Sequence, residues 1–170
     1  MGGQTMITAG FFVLLIVVVI SANRMINEST VSTGEGDATN LSVDIARAVV
    51  NEAYRKIFDE KWIDSVYQAA TEYTSVSLLG PETGEKFTLP DVVPYKSYAM
   101  YDDVDDYNGY SRIVDAGSMK GFKVTVQVYY IDQSTYAKTS TQTYLKRVDV
   151  SVEHPTYLQK KVTYSTVVTR

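Results

Sequence analysis

The residues best suited to chemistry form an acidic stretch at positions 101–111, YDDVDDYNGYS. Several carboxylate and amide oxygens in one turn are the kind of ligands that calcium prefers. The spacing differs from that of an EF-hand, because counting from Asp103 puts Asn108 where an EF-hand has its glycine. Two interpretations stay open, a looser calcium loop and a solvated acidic turn. The candidate calcium ligands are Asp102, Asp103, Asp105, Asp106 and Asn108.

The sequence offers little material for other kinds of catalytic or binding site. Cysteine is absent and His154 is the single histidine, which excludes thiolate chemistry and sites built from several imidazoles. The residues around His154 do not form a nucleophile elbow, and no phosphate-binding glycine loop occurs. The net charge of -4 disfavours a phosphate-rich partner. We therefore expect neither an enzyme nor a nucleic-acid-binding protein, and no cofactor apart from the calcium candidate.

The chain begins with an apolar segment, residues 1–23, that we call the stem. No charged side chain occurs before Arg24. As a helix the stem would be about 35 Å long, close to the ~30 Å hydrocarbon core of a bilayer. Its apolar residues point in every direction, so the whole circumference needs an apolar surrounding. They include Phe11, Phe12, Leu14, Leu15, Ile16, Val17, Val18, Val19 and Ile20. Three surroundings fit: a cleaved signal sequence, a permanent membrane anchor, or the core of a filament of identical stems.

Two glycines, Gly34 and Gly36, lie in the polar stretch that follows the stem. Because glycine weakens a helix by about 1 kcal/mol relative to alanine, we predict a helix break here, with a flexible linker as the alternative. Apolar residues then recur at helical spacing, which predicts an amphipathic helix to about residue 73 that covers a sheet. They are Leu41, Ile45, Ala48, Val49, Ala53 and Ile57.

The second half of the chain changes to strand-like spacing. Residues 122–132, 144–154 and 160–170 alternate between apolar and polar side chains and are joined by polar turns, which favours an antiparallel meander. The predicted fold class is α+β, a long N-terminal helix packed on a C-terminal antiparallel sheet. The predicted parts are the stem, a glycine-interrupted helical segment at 24–73, and a head at 74–170. The predicted helix–sheet core contains Leu41, Ile45, Val49, Ile57, Val148, Val150 and Val152.

Tyrosine is abundant, with 14 residues in the chain. A tyrosine ring buries apolar area while its hydroxyl keeps a polar partner, which suits partly hydrated contacts between subunits. A tyrosine-rich core fits the same composition, and both interpretations stay open. The tyrosines in question are Tyr95, Tyr98, Tyr101, Tyr107, Tyr110, Tyr129 and Tyr130.

The order of these parts resembles the type IV pilin and pseudopilin superfamily. The stretch GFFVLLIVVVISANRMI is similar to a pilin stem, and YDDVDDYNGYS resembles an acidic segment of minor prepilins. LKRVDVSVEHP and KKVTYSTVVTR are similar to the last two strands of those proteins. The start of the sequence departs from the superfamily. MGGQT has no basic residue, and Thr8 or Thr5 stands where the fifth residue of a mature pilin is acidic.

The resemblance implies a structural subunit of a pilus-like extracellular filament on the cell surface, with stems in the core and heads outside. It also implies an inner-membrane precursor stage. The implied partners are further copies of this chain and the motor and platform of a pilus assembly machine. A second function stays open: a single-span, membrane-anchored periplasmic protein, or a minor pseudopilin-like component of a secretion or pilus machine, that does not polymerise.

Overall fold

The computed structural model describes the backbone of residues 2–61 and 68–170, and their side chains apart from 2–9 and 30–32. The fold is α+β, as the sequence predicts. The helices are α1 (Gly2–Tyr54), α2 (Ser97–Met100) and two 3-10 turns at Ala70–Glu72 and Asp105–Tyr107. The strands are β1 (Ser111–Ala116), β2 (Met119–Tyr130), β3 (Leu145–Glu153) and β4 (Val162–Thr169). The chain divides into two compact units, a stem unit at Met1–Asp37 and a head unit at Ala38–Arg170.

The stem unit is helical throughout its described residues, and the predicted helix break is absent. Helix α1 continues through Gly34 and Gly36. The unit contains no proline, the residue that would interrupt the hydrogen-bond ladder. The Arg24 guanidinium adds a local contact by donating to Glu28 at 2.9 Å, one helical turn away. Two separate glycines cost about 2 kcal/mol together, which a long, cooperative helix tolerates.

Replacing Gly34 and Gly36 together with alanine is expected to stabilise this part of α1 by about 1 kcal/mol per site. A Cβ at either position would meet no atom within 4 Å beyond the neighbouring helix backbone. We expect an unchanged or larger helical signal in far-ultraviolet circular dichroism and loss of that signal at a higher temperature. Gly109→Ala is the contrasting variant and should be destabilised, because Gly109 has a φ of 84°. A lower helical signal in the double variant would contradict the prediction.

The sheet of the head unit is an antiparallel meander with the strand order β1-β2-β3-β4. The three strands expected from the sequence are present as β2, β3 and β4. Strand β1 adds a fourth that the sequence pattern does not reveal. The reason is that its single buried residue is Arg112, so the apolar alternation typical of a half-buried strand is missing.

The core of the head unit lies between the end of α1 and one face of the sheet. Ile45 and Val49 from α1 and Val148, Val150 and Val152 from β3 belong to one buried cluster. Leu41 packs at the edge of this cluster. The head unit thus includes residues of α1 that the sequence grouped with the preceding segment.

Helix α1 ends at Tyr54, so the predicted continuation to about residue 73 is wrong for the described residues beyond it. Instead the Ile57 N–H donates to the Asp102 carbonyl at 3.2 Å, and the Val104 N–H donates to the Ile57 carbonyl at 3.0 Å. These bonds to a distant segment replace the helical ones. Ile57 is 40% exposed and is therefore not a core residue, contrary to the prediction. Residues 62–67 of the predicted helix lie outside the described part.

Candidate functional site

The stem carries apolar side chains that remain exposed on every side. The side chains from Phe11 to Ile20 are each between 44% and 63% exposed, and they include all nine predicted filament-core residues. The described part of α1 is long and apolar enough to cross a membrane, judged by length and composition. Burying ten large apolar side chains is worth on the order of 15–30 kcal/mol as an upper estimate. An apolar environment that covers these side chains would therefore stabilise the stem strongly.

The acidic segment is buried for the most part, which overturns its interpretation as a solvated turn. Asp103, Asp105 and Asp106 are each 1% exposed. Asp102 is exposed and Asn108 is half-buried. Of these five predicted calcium ligands, Asp106 alone belongs to a converging group of carboxylates among the described residues, and its companions, Glu82 and Glu85, were not predicted.

Two of the buried aspartates organise the backbone of their own segment. One oxygen of Asp106 accepts the N–H groups of Asp102 and Asp103, at 2.9 and 3.0 Å. Asp103 Oδ1 accepts the N–H groups of Asp105 and Asp106, at 2.7 and 3.2 Å. Asp103 Oδ2 accepts the Glu60 N–H at 2.7 Å, which joins the acidic segment to the chain that follows α1. These side chains thus hold the acidic segment in its own turn, and Asp103 also fixes it to the backbone at Glu60.

A fully buried lysine, Lys146 of β3, joins the acidic segment to the sheet. Its Nζ donates to the Phe58 carbonyl at 2.7 Å and to Asp59 Oδ2 at 2.9 Å, and it also donates to Asp105 Oδ1. The Tyr130 hydroxyl donates to Asp59 at 3.2 Å. All three ammonium hydrogens therefore have acceptors, as a buried charge requires. Sequence reasoning missed Lys146, although it lies two residues before Val148 and therefore on the same inward face of the strand as Val148, Val150 and Val152.

The pKa values of the buried aspartates Asp59 and Asp103 are shifted in opposite directions. Burial alone would raise the pKa of Asp59, but the charge and hydrogen bond of Lys146, with the N–H groups of Thr74 and Lys61, lower it below its ordinary value. Burial, followed by the charges of Asp105 and Asp106, raises the pKa of Asp103 to about 9. Asp59 is therefore ionised at pH 7, whereas burial raises the pKa of both Asp103 and its neighbour Asp105, so that these two groups hold a proton more strongly.

The stability of the head unit is expected to fall as pH rises from about 4 to about 9, since folded Asp103 keeps its proton up to a pKa of about 9. Unfolded Asp103 loses its proton near pH ~4, so the folded state binds more protons in this window and is destabilised as pH rises. The thermal midpoint of the full chain, in detergent with a chelator present, should be lower at pH ~8.5 than at pH ~5.5. Asp103→Asn keeps an acceptor oxygen but does not titrate, so its profile should be flatter. A wild-type midpoint that rises over this range would contradict the assignment.

A second buried ion pair joins α1 to β1. The Glu52 carboxylate accepts from the Arg112 guanidinium at 2.8 Å, the Tyr107 hydroxyl at 2.8 Å and the Ser97 hydroxyl at 2.6 Å. Sequence reasoning missed Glu52 as well. A signal was available, because Glu52 follows Val49 by three positions and so lies on the buried face of the helix.

The seven tyrosines considered above belong mainly to the core. Four are buried, two are half-buried, and Tyr98 is exposed. Three of the four buried hydroxyls have acceptors inside the protein: Glu52 for Tyr107 at 2.8 Å, Asp91 for Tyr110 at 3.0 Å and the Thr74 carbonyl for Tyr130 at 2.9 Å. Their number thus reflects hydrogen-bonded packing, which leaves Tyr98 as the one fully surface-exposed residue of the seven.

The single histidine has a structural position at the end of β3. His154 Nδ1 accepts the N–H groups of Thr156 and Tyr157, both at 3.1 Å. Because Nδ1 is an acceptor, Nε2 carries the hydrogen and donates to the Lys120 carbonyl at 2.9 Å. Nδ1 therefore holds the turn that follows β3, and Nε2 joins this turn to the start of β2.

No protein-family model matches the chain, and neither a curated protein nor a solved structure is significantly similar to it. The architecture itself is pilin-like, since a long N-terminal helix packs by its C-terminal part on a four-stranded antiparallel sheet. This likeness concerns the arrangement of elements.

Proposed function

We propose that this chain is a structural, non-enzymatic subunit of a pilus-like extracellular filament, with stems of many copies in the core and head units outside. The observation that carries the proposal is the stem, whose side chains from Phe11 to Ile20 are exposed in every direction. The pilin-like head unit supports it, because its core is complete without those side chains.

The energetics of the stem favour a membrane-held precursor. Lipid tails are about as apolar as leucine side chains, so moving a stem from the inner membrane into a bundle of stems costs little hydrophobic free energy. Moving it into water would cost on the order of 15–30 kcal/mol. The partners of this chain are then the membrane before assembly and its own copies afterwards. The resemblance to pilins adds an assembly motor and platform.

Shearing cells that express the chain is the direct test of the filament. The sheared fraction should contain this chain as fibres visible by electron microscopy. The absence of cysteine allows a sharper test, because each of residues 11–20 can be replaced singly by cysteine in a background without other thiols. In a filament, oxidation should crosslink stems of neighbouring copies, while a cysteine at exposed Lys120 in the head serves as the comparison.

The second candidate is a single-span anchored protein that does not polymerise. The membrane-spanning length of the apolar helix favours it as much as it favours a filament precursor. It predicts that the chain stays in the membrane fraction, forms no fibres after shearing, and gives no stem crosslinks above the level of the Lys120→Cys comparison. Those three results together would reject the filament.

A further inference from the structure

Three carboxylates of the head unit converge at a point that the core does not use. Oxygens of Glu82, Glu85 and Asp106 all lie within 4.8 Å of one another. Calcium binds carboxylate oxygens at about 2.3–2.6 Å, so two ligands on opposite sides of one ion are about 5 Å apart. The three oxygens are therefore close enough to contact one ion. The Glu82 N–H also donates to Glu85 Oε2 at 3.3 Å, which holds the two glutamates together in one turn.

Asp106 provides a second, independent observation at the same place. Its side chain is buried, with the residue 1% exposed. Oδ2 accepts two N–H groups, whereas Oδ1 has no hydrogen-bond partner among the described residues. A buried carboxylate oxygen without a partner is costly. A carboxyl oxygen of Glu85 lies within 4.8 Å of one of Asp106, and two carboxylates this close repel unless a proton or a cation lies between them.

The surroundings leave this negative charge uncompensated. Glu60 adds a fourth carboxylate that acts on Glu82. Lys61 and Lys86 line the same cavity of about 310 Å³ as Glu60 and Glu82. Among the described residues, however, no ion pair within 4.0 Å joins a lysine or arginine to Glu82, Glu85 or Asp106. Burial, the hydrogen bond with Glu85 and the charge of Glu60 raise the pKa of Glu82 to about 7, so its anionic form is disfavoured as long as no cation is bound.

We propose that Glu82, Glu85 and Asp106 bind one divalent cation of the calcium type, with Asp106 Oδ1 as the buried ligand. Carboxylate oxygens are the ligands that this hard cation prefers, and its irregular coordination suits a site completed by water. The ion fastens the loop at residues 80–87 to the buried acidic segment. It is a property of the head unit and does not depend on whether the chain forms filaments.

The test uses the full chain in detergent, freed of metal with a chelator and then titrated with calcium chloride. The thermal midpoint of the head unit should rise by more than about 5 °C at saturation, because binding to the folded state alone raises stability. Glu82→Gln and Glu85→Gln should each weaken calcium binding at least ~10-fold by isothermal titration calorimetry. The matched control is Glu72→Gln, an exposed carboxylate outside the group, which should bind calcium as the wild type does.

Several results would overturn this assignment. One is a wild-type midpoint near pH ~7 that is the same in saturating calcium and in chelator, which would mean that no ion binds between the carboxylates. Another is a calcium response in Glu82→Gln and Glu85→Gln equal to that of the wild type. A third is loss of the response in Asp102→Asn with retention in Glu82→Gln, which would move the ion to the exposed side of the acidic segment.

Discussion

Replacing Lys146 with methionine is expected to lower the free energy of unfolding of the head unit by about 3–5 kcal/mol. Methionine fills much of the same space but cannot donate to Asp59 or Asp105, which are both buried. The variant leaves those two carboxylates without a counter-charge and the Phe58 carbonyl without its donor. Chemical unfolding of the full chain in detergent, followed by near-ultraviolet circular dichroism of the tyrosines, measures the loss.

The matched control for this prediction is Lys123→Met, on the neighbouring strand β2. Lys123 pairs with Glu153 at 3.0 Å, but both side chains are 51% exposed, so its loss should cost less than ~1 kcal/mol. Adding Asp105→Asn to Lys146→Met should recover part of the lost stability, because it removes one of the uncompensated charges. Equal stability of Lys146→Met and the wild type would mean that the buried ion cluster does not hold the head together.

The inward face of β3 shows what alternation in the sequence predicts and what it does not. Alternation correctly predicts a half-buried strand, and the same parity that turns Val148, Val150 and Val152 inward also turns Lys146 inward. A hydrophobic pattern contains only apolar residues, so a charged residue in register with them is easily passed over. What makes Lys146 acceptable inside is a pair of carboxylates far away in sequence, which alternation within one strand cannot reveal.

The end of α1 marks the limit of local reasoning. Apolar spacing continues through Ile57, and nothing nearby in the sequence stops a helix. The helix ends because the backbone around Ile57 finds better partners in the acidic segment, through the bridge between Ile57 and Asp103. The same contact explains why the acidic segment is buried instead of solvated. The predicted helix to residue 73 and the predicted solvated turn are thus wrong for the same reason: a long-range pairing outweighs local propensity.

The stem is the opposite case, because its composition alone predicts that its side chains need apolar surroundings. Residues that are apolar on all sides predict a helix that its own chain does not cover, and the exposure of the stem from Phe11 to Ile20 agrees with this. Composition does not distinguish lipid from neighbouring stems, since both are apolar. Packing does distinguish them, because a bilayer adapts to side-chain shape whereas a bundle of helices does not.

Replacing Val17 with aspartate is expected to weaken membrane insertion of the stem and to deplete the chain from the sheared fraction, while the remaining apolar side chains keep most of it in the membrane fraction. A charged residue at the centre of a membrane helix costs about 2.5–3.5 kcal/mol on insertion scales, which lowers the equilibrium constant for membrane insertion roughly 100-fold. Quantitative immunoblots of the membrane and sheared fractions measure how much of the variant each fraction contains. Asn40→Asp places the same charge on the exposed polar side of α1 and should leave both fractions unchanged.

A larger apolar residue at the same position separates the filament from a simple anchor. Val17→Phe makes the stem more apolar, so insertion into lipid should be at least as good as in the wild type. In a core of close-packed stems the added ring has no space, and overpacking of this kind costs about 1–3 kcal/mol for every copy. Because each subunit of a filament contributes the same clash, the penalty accumulates along the polymer. We therefore expect Val17→Phe to remain in the membrane and to be depleted from sheared fibres. Fibres formed at the wild-type level would mean that the stems are not packed against one another.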